Sequence, residues 1–251
     1  MQFQMKNKKG QLIVALDVDT FEEARVLVDS LSSVVDIFKV GSQLFTACGP
    51  EIVRYIQKQG KKIFLDLKYH DIPNTVSYST SGAIVLSSGG TLGSKIAGQM
   101  DSSRGLFMLT VHISGGPDML KAAVKAAKDK AEELNVKKPY IVGVTVLTSE
   151  AKTDMTDDII LERARLAKQC GLDGVVASSQ EAAAIRREMG DDFIIVTPGI
   201  RPSGSASDDQ QRISTPREAV KNGSHFLVVG RPIVKAENPL LAAKEILKEI
   251  Q

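Results

Sequence analysis

Eight short runs rich in aliphatic and β-branched residues recur along the chain, each followed by a polar or amphipathic stretch. This alternation constrains the fold more than any other feature. The runs are LIVALDV (12–18), IFKVG (37–41), KIFLDLK (62–68), LFMLTVH (106–112), IVGVTVL (141–147), GVVAS (174–178), FIIVTPG (193–199) and FLVVGR (226–231). Helical periodicity marks 21–31, 50–59, 119–134, 157–170, 180–189 and 239–250 between and after them. Eight strand–helix units in 251 residues predict an α/β fold of one domain, a single (β/α)8 TIM barrel over 1–251. A doubly wound open sheet would carry G-x-G-x-x-G after its first strand, and Asp17-Val18-Asp19-Thr20 stands there instead.

One segment fits this rhythm poorly. Residues 77–104 are rich in Ser and Gly, which weaken helices. The expectation is a helix over about 75–86 and then an irregular insertion near 90–104, read as surface decoration with a functional lid as the alternative.

Composition excludes several partners. A net charge of +2 and an aromatic content of 5% offer neither the basic field nor the stacking platforms of a nucleic-acid binder. No apolar run approaches the ~20 residues that cross a bilayer, and the polar start MQFQMKNKKG is no secretory signal, so no membrane partner and a cytoplasmic location are expected. Cys48 and Cys170 lack metal-type spacing and read as two reduced thiols.

The stretch FLDLKYHDIPNT (64–75) begins as a buried strand yet carries Asp66, Lys68 and Asp71. With alternating sides, Ile63, Leu65 and Leu67 face the helices while Phe64, Asp66 and Lys68 face the barrel lumen. The same parity puts Asp17 and Lys39 at the inner rim of the first two strands. Barrel enzymes place their chemistry on this C-terminal rim. A structural salt-bridge network is the alternative, but buried ion pairs are poor stabilisers, because desolvation offsets their attraction. An ammonium flanked by carboxylates keeps its proton, which suits Lys68 to proton donation and not to imine formation.

The runs after strands seven and eight, TPGIRPSGSASDDQQRIST and GRPIVKAENP, have phosphate-binding character. Gly230 permits close backbone approach, Arg231 offers a forked cationic donor, and Arg201 and Gln210 can reach the same place. Residues 199–213 read as a mobile lid. No G-x-x-x-x-G-K-[ST] motif is present.

Taken together, LIVALDV, FKVG, FLDLKYHDIPNT, VHISGG, VLTS, CGLDGVVAS, VTPGIRPSGSASDDQQRI and VVGRPI resemble the orotidine 5'-phosphate decarboxylase family in its bacterial form, over nearly the whole chain. The resemblance implies cofactor-free and metal-free removal of the C6 carboxylate of orotidine monophosphate in pyrimidine biosynthesis. It also implies a tetrad of Lys39, Asp66, Lys68 and Asp71, with Lys68 protonating C6. Asp17 and Lys39 would hold ribose hydroxyls, Thr148 would lie by the pyrimidine, and Arg201, Gln210, Gly230 and Arg231 would take the phosphate. The family is a homodimer, so Asp71 and Thr75 would serve the neighbouring subunit's site. Two departures stand out: roughly fifteen extra residues near 90–104 and a shortened segment after VLTS, both expected to alter mouth-side loops or the dimer edge.

Two other readings compete. The sibling 3-keto-gulonate-6-phosphate decarboxylase and hexulose-phosphate synthase barrels use Mg2+ beside a strand-two carboxylate. Here that position is Lys39, whose charge disfavours the cation. A non-catalytic nucleotide binder would keep the fold without the intact charged residues.

Overall fold

In the computed structural model, residues 10–88, 105–146, 157–202 and 214–250 are described. Their strands are β1 (Gln11–Ala15), β2 (Ile37–Gly41), β3 (Lys62–Tyr69), β4 (Gly105–His112), β5 (Tyr140–Val144), β6 (Gly174–Val176), β7 (Ile194–Thr197) and β8 (Phe226–Val229). They pair in parallel in chain order, and β8 returns to β1 to close the barrel. The helices are α1 (Phe21–Leu31), α2 (Ser42–Cys48), α3 (Pro50–Lys58), α4 (Pro73–Ser87), α5 (Gly116–Glu133), α6 (Asp157–Gln169), α7 (Ser179–Met189), α8 (Pro216–Lys221), α9 (Arg231–Val234) and α10 (Pro239–Ile250). The (β/α)8 expectation holds. Among the described residues no helix is long and apolar enough to cross a membrane.

Strand alternation builds two apolar layers. Ile13, Ile37, Phe64, Met108, Val142, Val196 and Phe226 fill the lumen. Val14, Phe38, Ile63, Leu65, Leu109, Ile195 and Leu227 pack outward on the helices. Each fully buried Leu, Ile or Phe side chain contributes roughly 1.5–3 kcal/mol through the area it removes from water, so these layers hold the rim in place.

Local signals explain the helix ends. Thr20 and Glu23 form a capping box at the start of α1, whose buried Ala24, Leu27, Val28 and Leu31 follow the 3.6-residue period. Thr215 and Glu218 repeat the device at α8. Between α2 and α3, Gly49 takes φ 59° and ψ −148°, backbone that only glycine adopts readily, and Pro50 then opens α3.

The expected helix over 75–86 is α4. Its Pro start and its buried Val76, Thr80, Ala83 and Ile84 compensate for the Ser and Gly content, and it packs against α3 and α5. The insertion at 90–104 lies outside the described residues, but both flanks are in view. The Ser87 carbonyl oxygen is 3.1 Å from where a Cβ on Gly105 would stand, and it accepts a hydrogen bond from Gln57 Nε2. Because the flanks join the end of α4 to the start of β4, they lie at the N-terminal ends of the strands. The described residues on either side of the insertion, Ser88 and Gly105, therefore lie opposite the mouth.

The N-terminal side also holds a pH-sensitive clamp. Arg186 of α7 donates to the Phe193 carbonyl at 2.9 Å and the Gly223 carbonyl at 2.8 Å, and its Nη2 lies 2.7 Å from His225 Nδ1. His225 Nδ1 also accepts the Ile195 N–H at 3.1 Å, which splices β7 to β8. Burial, and then the neighbouring Arg186 charge, push the His225 pKa down to about 4. The unfolded chain takes up this proton near pH 6.5 and the folded chain only near 4, so stability is lost as pH falls through that window. The full difference is worth at most about 3 kcal/mol, reduced by partial solvent access to the ring. Urea denaturation at pH 7 and pH 5 should show wild type losing about 1–2 kcal/mol more than His225→Gln on acidification; equal losses would refute the role of this ring.

Candidate active site

The C-terminal ends of β1, β2 and β3 each deliver charge to one cavity. Lys39 shares lumen parity with Ile37, and Asp17 lies two residues beyond Ala15. Lys39 is 8% exposed, with its Nζ 3.1 Å from Asp17 Oδ1 and 3.5 Å from Asp66 Oδ2. Lys68 Nζ is 2.9 Å from the same Asp66 oxygen. The result is an unbroken alternating row, Asp17–Lys39–Asp66–Lys68, in which Asp66 lies between two ammonium groups.

The electrostatics follow from that row. Burial opposes ionisation of Asp66, but the charges of Lys39 and Lys68 outweigh it, as do hydrogen bonds from Lys68 and Thr110, and its pKa falls below the ordinary carboxylate value. Burial likewise opposes the charged form of Lys39. Asp66 and then Asp17 outweigh it, so its pKa rises. Both groups remain ionised at neutral pH. Burying Lys39 and Asp66 costs desolvation that apolar packing would avoid, and such a pair at a barrel mouth marks a candidate site.

Lys68 reaches the row by a route different from the expected one. Regular alternation stops at Asp66: β3 slips register against β4 between Leu65 and Tyr69, and Lys68 adopts φ 50°, a left-handed conformation uncommon outside Gly, Asn and Asp. A bulge, not simple parity, turns Lys68 toward Asp66.

The cavity, about 200 Å³, is also lined by Phe64, Val144, Val176 and Val228, an apolar wall suited to a flat ring. The segments after β7 and β8 add Gly199, Arg201, Gly230 and Arg231 to the lining. Arg201 is 6% exposed, and its backbone N–H donates to the Ser214 carbonyl at 2.9 Å. A Cβ on Gly230 would stand 3.0 Å from Asp17 Oδ2 and 3.5 Å from Ala15 Cβ, so a larger residue there would press on the carboxylate.

Not every expected residue joins this group. Asp71 and Thr75 are exposed at the start of α4 and do not line the cavity within one chain; Asp71 Oδ1 accepts the Ile72 N–H at 2.6 Å. Thr148 and Gln210 lie outside the described residues, as does most of the expected lid at 199–213. Sequence reasoning missed Thr110, which is fully buried and bonded to both Asp66 and Lys68. A signal for it existed: it has the lumen parity of Met108 and is polar amid an apolar strand. The apolar wall from Val144, Val176 and Val228 was also missed, since valine in a barrel strand carries no distinguishing mark.

Fold and site together define a (β/α)8-barrel protein with a lysine–aspartate row, buried at Lys39 and Asp66, beside a ring-sized cavity that two arginines also line. A profile of the orotidine 5'-phosphate decarboxylase / HUMPS family matches residues 10–246, and the chain belongs to that family. An orotidine 5'-phosphate decarboxylase of Moorella thermoacetica is 43% identical over 252 residues, covering 97% of this chain and 93% of its own. One from Geotalea daltonii is 44% identical over 252 residues, covering 96% of each. The crystal structure of orotidine 5'-phosphate decarboxylase from Lactobacillus acidophilus superimposes with a TM-score of 0.76 at 33% identity, covering 96% of this chain and 99% of that one.

Proposed function

We propose that this protein is a carbon–carbon lyase that converts orotidine 5'-monophosphate to uridine 5'-monophosphate and carbon dioxide in pyrimidine biosynthesis, as one barrel domain acting in the cytoplasm. The observation that carries the reading is the row Asp17–Lys39–Asp66–Lys68 at the cavity, with Lys68 Nζ bonded to Asp66 at 2.9 Å. The sequence relationship to decarboxylases narrows the substrate.

In this reading the bond from C6 to the carboxylate breaks, its electron pair stays on C6, and carbon dioxide departs. The Lys68 ammonium stabilises the pair as it develops and delivers a proton to C6, leaving an amine that solvent reprotonates. A fixed charge aimed at the reacting carbon needs no reorganisation during the step. The chemistry asks for no metal or organic cofactor. Lys39 and Asp17 hold ribose hydroxyls, Thr148 lies by the pyrimidine, and Arg201, Gln210, Gly230 and Arg231 hold the phosphate. Phosphate binding energy then lowers the barrier at a ring it does not touch.

A second copy of the chain completes the site with Asp71 and Thr75. Support comes from the surface around them: Ile72 is 66% exposed and Tyr78 71% exposed. Thr75 and Tyr78 are three residues apart on α4, hence on one face. Large apolar side chains exposed beside polar ones suit a face that another copy covers.

The test is the fall in absorbance when orotidine monophosphate meets purified protein in excess EDTA. Steady turnover is expected. A strict Mg2+ requirement would favour the sugar-phosphate sibling, and tight uridine monophosphate binding without turnover would favour a binder.

A further inference from the structure

The β3–β4 pairing contains an irregularity that the charged row depends on. Leu65 pairs with Leu109 and Tyr69 with Val111, so residues 66, 67 and 68 face Thr110 alone. In a regular parallel ladder one residue faces one, and each backbone N–H meets a carbonyl across the strand. A bulge of this size removes that partner from Lys68, whose φ of 50° already places it in an uncommon region.

Thr110 supplies the missing partner. Its Oγ1 accepts the Lys68 backbone N–H at 2.8 Å and donates to Asp66 Oδ1 at 3.0 Å. The directions follow from the groups: a backbone N–H only donates and a carboxylate only accepts, so the single hydroxyl proton must go to Asp66. Asp66 Oδ1 is thereby occupied, and Oδ2 is left to meet both ammonium groups, at 2.9 Å from Lys68 and 3.5 Å from Lys39. One fully buried hydroxyl thus orients the carboxylate and anchors the backbone that carries the ammonium.

We propose that Thr110 is a positioning residue for this site, acting through Asp66 and Lys68 by holding the β3 bulge that aims the Lys68 ammonium into the cavity. Its kinetic consequence rests on the lyase reading above; its structural consequence does not. Valine has the shape of threonine without the hydroxyl, so Thr110→Val removes both hydrogen bonds and leaves the left-handed Lys68 backbone unanchored. Serine keeps both bonds and loses only a methyl group.

The experiment compares both variants with wild type for orotidine monophosphate turnover, uridine monophosphate affinity and thermal unfolding. Thr110→Val should lower kcat by about 10²-fold, the cost of a displacement of roughly 1 Å in a reacting group, with affinity for uridine monophosphate changed by less than about threefold, an expectation from the same positioning argument. Thr110→Ser should stay within about threefold of wild-type kcat. Wild-type kcat in the valine variant overturns the proposal. So does a folded serine variant as defective as the valine one, since volume and not the hydroxyl would then matter; the serine arm decides even if the valine variant fails to fold. A crystal structure of Thr110→Val supplies a readout free of substrate: Lys68 should leave positive φ and its Nζ should move out of hydrogen-bond reach of Asp66, and an unchanged Lys68 overturns the proposal. If wild type itself does not decarboxylate orotidine monophosphate, the lyase reading fails and this structural comparison still decides the role of Thr110.

Discussion

Lys68→Ala is expected to lower kcat for orotidine monophosphate decarboxylation by at least about 10⁴-fold, while uridine monophosphate binding weakens by no more than about tenfold. Two effects are lost together. General-acid proton transfer contributes about 10²–10⁴-fold and a fixed charge at a developing anion about 10²–10³-fold; 10⁴-fold corresponds to about 5.5 kcal/mol of barrier. Binding should survive because the proposed phosphate ligands Arg201, Gly230 and Arg231 follow β7 and β8, whereas Lys68 comes from β3. The Lys68 side chain is 34% exposed, so its removal opens little buried volume and the fold should persist. A proportionate rise in KM with unchanged kcat would instead mark Lys68 as a binding group.

Asp66→Asn is expected to damage both activity and stability. The carboxylate is shared by Lys68 at 2.9 Å and Lys39 at 3.5 Å. A neutral amide would leave two ammonium groups converging on one site without their counter-charge. Breaking a buried ion pair by removing one partner costs about 3–5 kcal/mol, which urea denaturation would show as a lower midpoint. Asp66 is also the largest of the influences that raise the Lys39 pKa against burial; without it only Asp17 opposes burial, and Lys39 gives up its proton at a lower pH than in the wild type. Activity should fall by about 10³-fold, since Lys68, the proposed proton donor, is misplaced and Lys39, the proposed ribose ligand, is altered together. Wild-type kcat with a lowered melting temperature would show that the row is structural only.

Much of this architecture was legible in the residues. The bounds of α1 and α10 follow from the 3.6-residue period, helped at α1 by the Thr20–Glu23 box, and coincide with 21–31 and 239–250. α2, α8 and α9 were not anticipated. At seven, six and four residues they are too short for a period to register, and they exist because the barrel surface holds them.

The site divides along the same line. Asp17, Lys39 and Asp66 were placed by parity, because β1, β2 and the first part of β3 are regular. Lys68 was placed correctly for an incomplete reason, since its direction depends on a bulge that no local pattern announces. Parity along its own strand could have flagged Thr110 as a polar lumen residue, but not its bond to the Lys68 backbone on the neighbouring strand, 42 residues away. Asp71 and Thr75 present a further limit: within one chain they are surface residues, and their proposed role requires a second copy.

The proposed chemistry depends on where the Lys68 ammonium points when a nucleotide is bound. A crystal structure with uridine monophosphate should place Lys68 Nζ within about 3.5 Å of C6, the separation of a group ready to react, with Asp66 still bonded to it and the phosphate between Arg201 and Arg231. A complex in which C6 faces away from Lys68, or in which Nζ has left Asp66 for solvent, would contradict it.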